Sequence, residues 1–311
     1  MIVSWTHPPS MPPRCQGISW AFSQPIARPG IRPAPAGSAP SSSSSEARLV
    51  AASKLPPGAL HHYPLDYAFS VQESPHPTDG FRISPKQAPK DGIHLDLDHD
   101  SSTLVIAFAG LKGFLGGFPA FEFRKILSSV NVKSAYLRDH YAAWYHRGVV
   151  DVGPDIDAVV ARLHDLSGDA ERVVMIGNSA GGYAALLFGA LLDCETYAFS
   201  PQTFIDPELL RVAEDDRWDE ELHALLASGR FDRRYGDLAP VLAASKGSFH
   251  IYYGGLDPID WKHVDRVAWI DQVTAHPIEN CYHRVVKHLR DSGWLLSFLL
   301  GMAEKKPAPR I

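Results

Sequence analysis

Residues 172–192, RVVMIGNSAGGYAALLFGALL, hold the pattern on which the reading of this chain turns. The apolar run Arg172 to Ile176 leads straight into Gly177-Asn178-Ser179-Ala180-Gly181-Gly182, and Tyr183 to Leu192 then has the composition of a buried helix. A G-x-S-x-G sequence at a tight strand-to-helix turn holds a serine hydroxyl clear of a sheet and aims it at a base, which an otherwise poor nucleophile requires. The turn crowds the positions two before and two after the serine, and Gly177 and Gly181 are the smallest residues available there. The first turn of the following helix directs the Ala180 N–H toward any oxyanion that develops at the serine. The pattern is neither GxGxxG nor GxxxxGK[ST], so a phosphate cradle explains it less well.

The sequence around this stretch alternates short apolar runs with longer amphipathic ones. Thr103 to Phe108, Val132 to Leu137, Glu195 to Phe199 and Phe249 to Tyr253 each read as a buried strand beside Arg172 to Ile176. Between the second and third strands in chain order, Ile156, Val159, Val160, Leu163 and Leu166 recur at helical spacing, with Pro154 suited to the first turn and Gly168 to the stop. Strand, helix and strand repeated in this way predict an α/β fold, a mainly parallel sheet with helices on both faces. No repeat with a period of about 20 to 50 residues is present, which excludes solenoids and propellers.

On such an architecture the nucleophile is followed in the chain by an acid and then by a histidine. The run after Tyr253 is Gly254-Gly255-Leu256-Asp257-Pro258-Ile259-Asp260, which puts Asp257 just past a strand end, where α/β sheets keep their ligand crevice. Asp257 is the first choice for the acid and Asp260 the reserve. Because Pro258 suits the first turn of a helix, either aspartate also reads as a simple helix cap. Three histidines follow. Val273 to Ile278 can form one more strand, confined by Pro277 to an edge or a strand end, which places His276 within it. Val285, Val286 and Leu289 recur at helical spacing and carry His288. His283 alone falls on the loop between strand and helix, and it is the candidate base. Cys281 reads as a small buried filler. A second oxyanion donor is expected from the loop Ala109-Gly110-Leu111-Lys112-Gly113-Phe114, with the Leu111 N–H nominated ahead of Lys112.

The GNSAG elbow, the later Asp, the last His and the upstream glycine loop together resemble the α/β-hydrolase superfamily over about residues 58 to 303. GNSAGGYAALLFGALL followed by AFSPQTF is similar to a group of poorly characterised bacterial α/β-hydrolase-like proteins. The resemblance implies acyl-enzyme chemistry in which Ser179 attacks a carbonyl, His283 moves the proton, Asp257 orients the imidazole and water completes the turnover. It implies no metal and no organic cofactor. The absence of an HGGG-type loop argues against a typical lipase or carboxylesterase of that kind.

The 48 residues from Ser200 to Gly247 are too many for a simple connection, and they form a candidate lid of about residues 200–247. Leu209, Leu210 and Ala213, then Leu222, Leu225 and Leu226, suggest two short amphipathic helices separated by Glu214-Asp215-Asp216. Arg138-Asp139 and Trp144-Tyr145 read either as pocket lining or as core anchors. Asp96-Leu97-Asp98-His99-Asp100 opens like a calcium loop, but Ser101 and Ala107 replace its glycine and bidentate glutamate, so the solvated end of a strand explains it better. His61-His62 has no distant ligand set.

Composition bounds the remaining possibilities. The chain has 311 residues, 45% hydrophobic and 21% charged, enough for a sizeable core. A net charge of -5 gives no general basis for binding nucleic acid or an anionic membrane. Cys15, Cys194 and Cys281 lack CxxC spacing, so no disulfide scaffold or zinc ribbon is expected and a cytoplasmic, reducing setting is the default. No apolar window reaches the roughly 18 residues of a membrane helix. Of 25 prolines, 11 lie in the first 60 residues beside the run Ser41 to Ser45, and no acid precedes Glu46. Residues 1–47 accordingly read as a disordered tail, with an organelle transit peptide or an over-extended start as the alternatives, and residues 48–311 as one hydrolase domain. The expected partner is a small acyl substrate. Acyl transfer to a sugar or other alcohol on the same triad, and a non-catalytic binding protein of the same fold, are the competing functions.

Overall fold

The structure is a computed structural model that describes residues 91–111 and 121–304. The tail read over residues 1–47, its boundary and His61-His62 lie outside the described residues. Seven strands form one sheet: β1 (Ile93–Asp96), β2 (Thr103–Phe108), β3 (Lys133–Leu137), β4 (Arg172–Asn178), β5 (Glu195–Phe199), β6 (Ser248–Gly254) and β7 (Val273–Ile278). Their spatial order is β1-β3-β2-β4-β5-β6-β7. All neighbours are parallel except β1, which pairs antiparallel with β3. The chain has the α/β-hydrolase fold, with a mainly parallel sheet and helices on both faces.

Alternation along each strand divides the core in two. In β2, Leu104, Ile106 and Phe108 face one layer and Val105 and Ala107 the other. The first layer is closed by α2 (Ile156–Leu166) and α3 (Ala180–Leu191), the second by α8 (Val285–Asp291) and α9 (Trp294–Ala303). The short α1 (Arg124–Leu127) adds Leu127 to the second layer. Arg172 at the start of β4 holds Glu195 of β5 through two bonds of 2.8 and 2.9 Å and donates to the Met302 carbonyl, so the C-terminal helix is tied to the sheet.

Two local expectations are corrected. Pro154 precedes α2 rather than entering it, because Asp155 is the N-cap and accepts from the Ala158 N–H. The helix after the glycine turn begins at Ala180, not at Tyr183, since the turn itself supplies its first residues. β1 is a further strand that ends at Asp96, and the acidic run after it is its exposed exit, with His99 3.7 Å from Asp96. Pro277 stands in β7, an edge strand, as its missing N–H requires.

The connection from β5 to β6 folds into α4 (Pro207–Ala213), α5 (Asp219–Ala227), a turn of 3-10 helix at Arg233–Tyr235, and α6 (Ala239–Ala244). The two helices expected from the leucine spacing are therefore present, joined by Glu214 in the left-handed region and by the Asp215-Asp216-Arg217 turn. Leu222, Leu225 and Leu242 bury their side chains in the first core layer. Among the described residues no helix is long and apolar enough to cross a membrane.

Candidate active site

Ser179 stands between β4 and α3 with φ 55° and ψ −120°, a backbone state that costs a residue bearing a Cβ about 1 to 3 kcal/mol. The surroundings hold it there. Its N–H donates to the Phe199 carbonyl at 2.8 Å, and its own carbonyl accepts from the Tyr183 N–H at 3.0 Å. A Cβ at Gly177 would meet the Gly181 carbonyl, and one at Gly181 would meet the carbonyl of Phe108 in β2, so both positions admit only glycine. The bend therefore lifts the serine hydroxyl out of the sheet at its carboxyl end.

His283 reaches this hydroxyl from the loop between β7 and α8. Its Nε2 lies 3.2 Å from Ser179 Oγ and its Nδ1 2.7 Å from Asp260 Oδ1. The choice of Asp257 as the carboxylate that meets the imidazole is thus corrected to its reserve. Helix α7 (Pro258–Asp265) begins with a proline, so Asp257 is its N-cap, and Asp257 Oδ1 accepts from the Ile259 and Asp260 N–H groups at 3.0 Å each. Its second oxygen accepts from the backbone N–H of His283 at 3.2 Å. Asp257 ties the two loops together, while Asp260, three residues into the helix, turns its side chain back toward the helix start and the end of β6. There Asp260 also accepts from the Gly254 N–H at 3.2 Å, and it is only 1% exposed.

The connection between β5 and β6 adds residues that motif reading passed over. The Arg217 guanidinium grips Asp215 through two bonds of 2.7 and 2.8 Å. Its remaining nitrogen, Nη1, lies 3.3 Å from His283 Nδ1 and 3.6 Å from Asp260 Oδ1. Asp215 Oδ2 is also 3.0 Å from His263 Nε2, and His263 Nδ1 accepts from the Thr203 N–H at 3.2 Å. This last bond fixes the His263 proton on Nε2, which therefore donates to Asp215. The sequence signal was present in the DDR of Asp215-Asp216-Arg217, an acid and a base two residues apart. Nothing in the spacing tells that they face the end of a distant loop.

Burial works against the charge on these carboxylates, and their partners outweigh it. Asp260 is held below the ordinary carboxylate range because the His283 imidazole and the Gly254 N–H favour its ionised form more than burial opposes it. Asp215 is held well below that range by His263 and Arg217, again against burial. Burial dominates for His263 and lowers its affinity for a proton, so it stays a neutral donor. A second run of hydrogen bonds clamps the β5–β6 connection to α3 and the loop after β3. The Asp232 N–H donates to His146 Nδ1 at 3.0 Å, His146 Nε2 lies 2.8 Å from Tyr183 Oη, and Tyr183 Oη donates to the Tyr235 carbonyl at 2.5 Å. Burial pushes His146 down to about 4.

Of the other sequence candidates, Ala180 forms the first residue of α3, and Leu111 is buried, three residues past the end of β2. Gly110 in that loop lies against the elbow, since a Cβ there would come 3.2 Å from the Asn178 carbonyl. Lys112 to Phe114 lie outside the described residues. His276 sits in β7, stacked on Tyr252, and His288 in α8, so neither is brought to Ser179. Cys281 is buried beside the His283 loop. Tyr145 anchors the core by donating to the Ala109 carbonyl at 2.9 Å, and Asp139 accepts from the N–H groups of Tyr141, Ala143 and Tyr145. Asp257, Asp260 and His283 bring metal-ligating atoms within 4.8 Å of one another. The Arg217 guanidinium already neutralises Asp260 at this point, and a metal cation there would meet its repulsion.

No protein-family profile matches the chain, and no curated protein matches it. Solved structures of similar fold include the capsule O-acetyltransferase of Neisseria meningitidis serogroup A, 16% identical, covering 66% of this chain and 91% of that one with a TM-score of 0.48. Est1E from Butyrivibrio proteoclasticus is 14% identical, with coverage of 69% and 94% and a TM-score of 0.47. MenH from S. aureus is 14% identical, with coverage of 69% and 98% and a TM-score of 0.42. These likenesses concern the fold alone.

Proposed function

We propose that the protein is a serine-dependent acyl hydrolase acting on an ester or thioester. The observation that carries this reading is the continuous path from Ser179 Oγ to His283 Nε2 at 3.2 Å and from His283 Nδ1 to Asp260 at 2.7 Å. With Asp260 ionised and buried, the imidazole keeps its proton on Nδ1 and presents a bare Nε2 to the serine hydroxyl. Ser179 then attacks the substrate carbonyl carbon while His283 takes the hydroxyl proton. The negative charge collects on the carbonyl oxygen, which the N–H groups of Ala180 and Leu111 receive. Collapse of this intermediate expels the alcohol or thiol, to which His283 returns the proton, and leaves an ester on Ser179. Water, deprotonated by the same imidazole, releases the acid and restores the serine. Leu256, Trp261 and Tyr282, exposed beside Asp257, Asp260 and His283 in the chain, offer an apolar rim for the acyl group. No step calls for a cofactor.

A screen of p-nitrophenyl acyl esters tests this reading, with Ser179→Ala as the control. Hydrolysis by the wild type, with a loss of several orders of magnitude in Ser179→Ala, is the expected result. Equal rates in both proteins would overturn it.

A further inference from the structure

The loop after β3 is built at a cost whose return lies elsewhere in the molecule. Ala142, Trp144 and Tyr145 all have positive φ, at 47°, 49° and 65°, and the turn is wound around the buried Asp139 carboxylate. Strain of this kind persists where the surroundings enforce it, and it gathers at sites of function. Its effect is to set the Trp144 indole, 1% exposed, into the wall of a small cavity with room for about a water molecule. Gln202, also 1% exposed, forms another part of the wall, and Asp215 and Trp218 of the β5–β6 connection close it.

The polar atoms that line this cavity are unevenly satisfied. Asp215 is fully engaged by Arg217 and His263. Among the described residues, however, neither the Oε1 nor the Nε2 of Gln202 has a partner, and neither does Nε1 of Trp144. Leaving a buried amide and a buried indole N–H unmade is costly, and a leucine or phenylalanine would fill the same space without that cost. The cavity is linked to the chemistry through packing and hydrogen bonds. Gln202 follows Pro201, which packs against Gly182 three residues after the serine, and Asp215 is joined through Arg217 to His283. It also lies outside the carboxyl ends of β3 and β5, where open α/β sheets receive their ligands.

We propose that Gln202 and Trp144 form a subsite for a hydroxyl group of the substrate. A hydroxyl both donates and accepts. It can give its proton to Gln202 Oε1 and take one from Gln202 Nε2 or Trp144 Nε1, which a plain alkyl group cannot do. The wall holds two carboxylates: Asp215 is neutralised by Arg217, and Asp219 stands exposed at the start of α5, so an anion meets the charge of Asp219 and a cation that of the guanidinium, and the group recognised is neutral. This inference rests on the acyl-hydrolase reading and narrows it to hydroxylated esters, with the hydroxyl in either the alcohol or the acid.

Matched ester pairs test it. The first pair, glycerol monoacetate against propyl acetate, varies the alcohol, and the second, ethyl lactate against ethyl propanoate, varies the acid. The wild type is expected to favour the hydroxylated member of one pair in kcat/KM, and the pair that responds tells which side of the ester enters the cavity. In Gln202→Leu that preference is expected to fall about tenfold, the worth of one neutral hydrogen bond, and in Trp144→Phe it is expected to fall as well. A preference absent from the wild type in both pairs, or unchanged in both variants, would overturn the subsite. Should the wild type hydrolyse none of the four esters, the hydrolase reading has failed, and thermal unfolding with methyl glucoside still decides the subsite. The sugar is expected to raise Tm more in the wild type than in Gln202→Leu, and an equal rise in both would overturn it.

Discussion

The two aspartates of the β6–α7 turn do different work with the same side chain. Asp257 spends one oxygen on the first N–H groups of α7 and the other on the His283 backbone, whereas Asp260 accepts from the imidazole itself. Asp260→Asn is therefore expected to lower kcat about 10⁴-fold by favouring the wrong imidazole tautomer. Asp257→Asn keeps a capping oxygen and is expected to lose roughly tenfold or less, with Tm little changed. Steady-state kinetics on any turned-over ester checks both, and equal losses would return the acid to Asp257. The sequence held the means to rank these two. Pro258 marks the first helical residue, so the aspartate before it is committed to capping, and chain order alone does not register that demand. Ser179 and His283 were legible because each stands at a junction between strand and helix that the apolar runs delimit. Arg217 was not, since its partners are 43 and 66 positions further along, at Asp260 and His283.

Among the elements, the elbow and the β5–β6 connection carry the site between them. The elbow is rigid by contact with β2, so Gly181→Ala, driven into the Phe108 backbone, is expected to cost about 3 kcal/mol or more, read by denaturant unfolding. Gly182→Ala meets the ring of Pro201 at 2.9 Å and the Gly177 carbonyl at 3.4 Å, a milder clash, and is expected to cost less. The connection contributes Arg217, whose Nη1 stands 3.6 Å from Asp260 Oδ1 and 3.3 Å from His283 Nδ1, and on the proposed reading it is a positioning residue. Arg217→Gln is expected to reduce kcat about 10- to 100-fold with KM nearly unchanged, and Arg217→Lys to recover part of the loss. A change confined to KM would assign the guanidinium to substrate binding instead. The strands were read almost to the residue because six of them are short runs rich in aliphatic, β-branched and aromatic residues. β1 is short, polar on one side and antiparallel at an edge, and no apolar run marks it.

At the scale of the whole molecule, the clamp through His146 links the β3 loop, α3 and the β5–β6 connection. Its geometry needs a neutral imidazole, with Nδ1 accepting and Nε2 donating. Burial lowers this group from 6.5 to about 4, so the folded state resists a proton that the unfolded chain takes up readily. The contribution is fully present above about pH 6.5, and it is lost as the pH falls from there toward 4, for a total of about 3 kcal/mol. Unfolding measured across that window is expected to show stability falling with pH, with a shallower slope in His146→Asn. A parallel slope in the variant would contradict the assignment.

Whether Ser179 is an activated nucleophile is read from the mass of the protein after exposure to a fluorophosphonate. A single adduct is expected in the wild type, mapped by peptide sequencing to Ser179 within GNSAGG, much slowed in His283→Ala and missing in Ser179→Ala. A wild-type protein that stays unmodified from mildly acidic to mildly alkaline pH, or that is labelled at another residue, would contradict it.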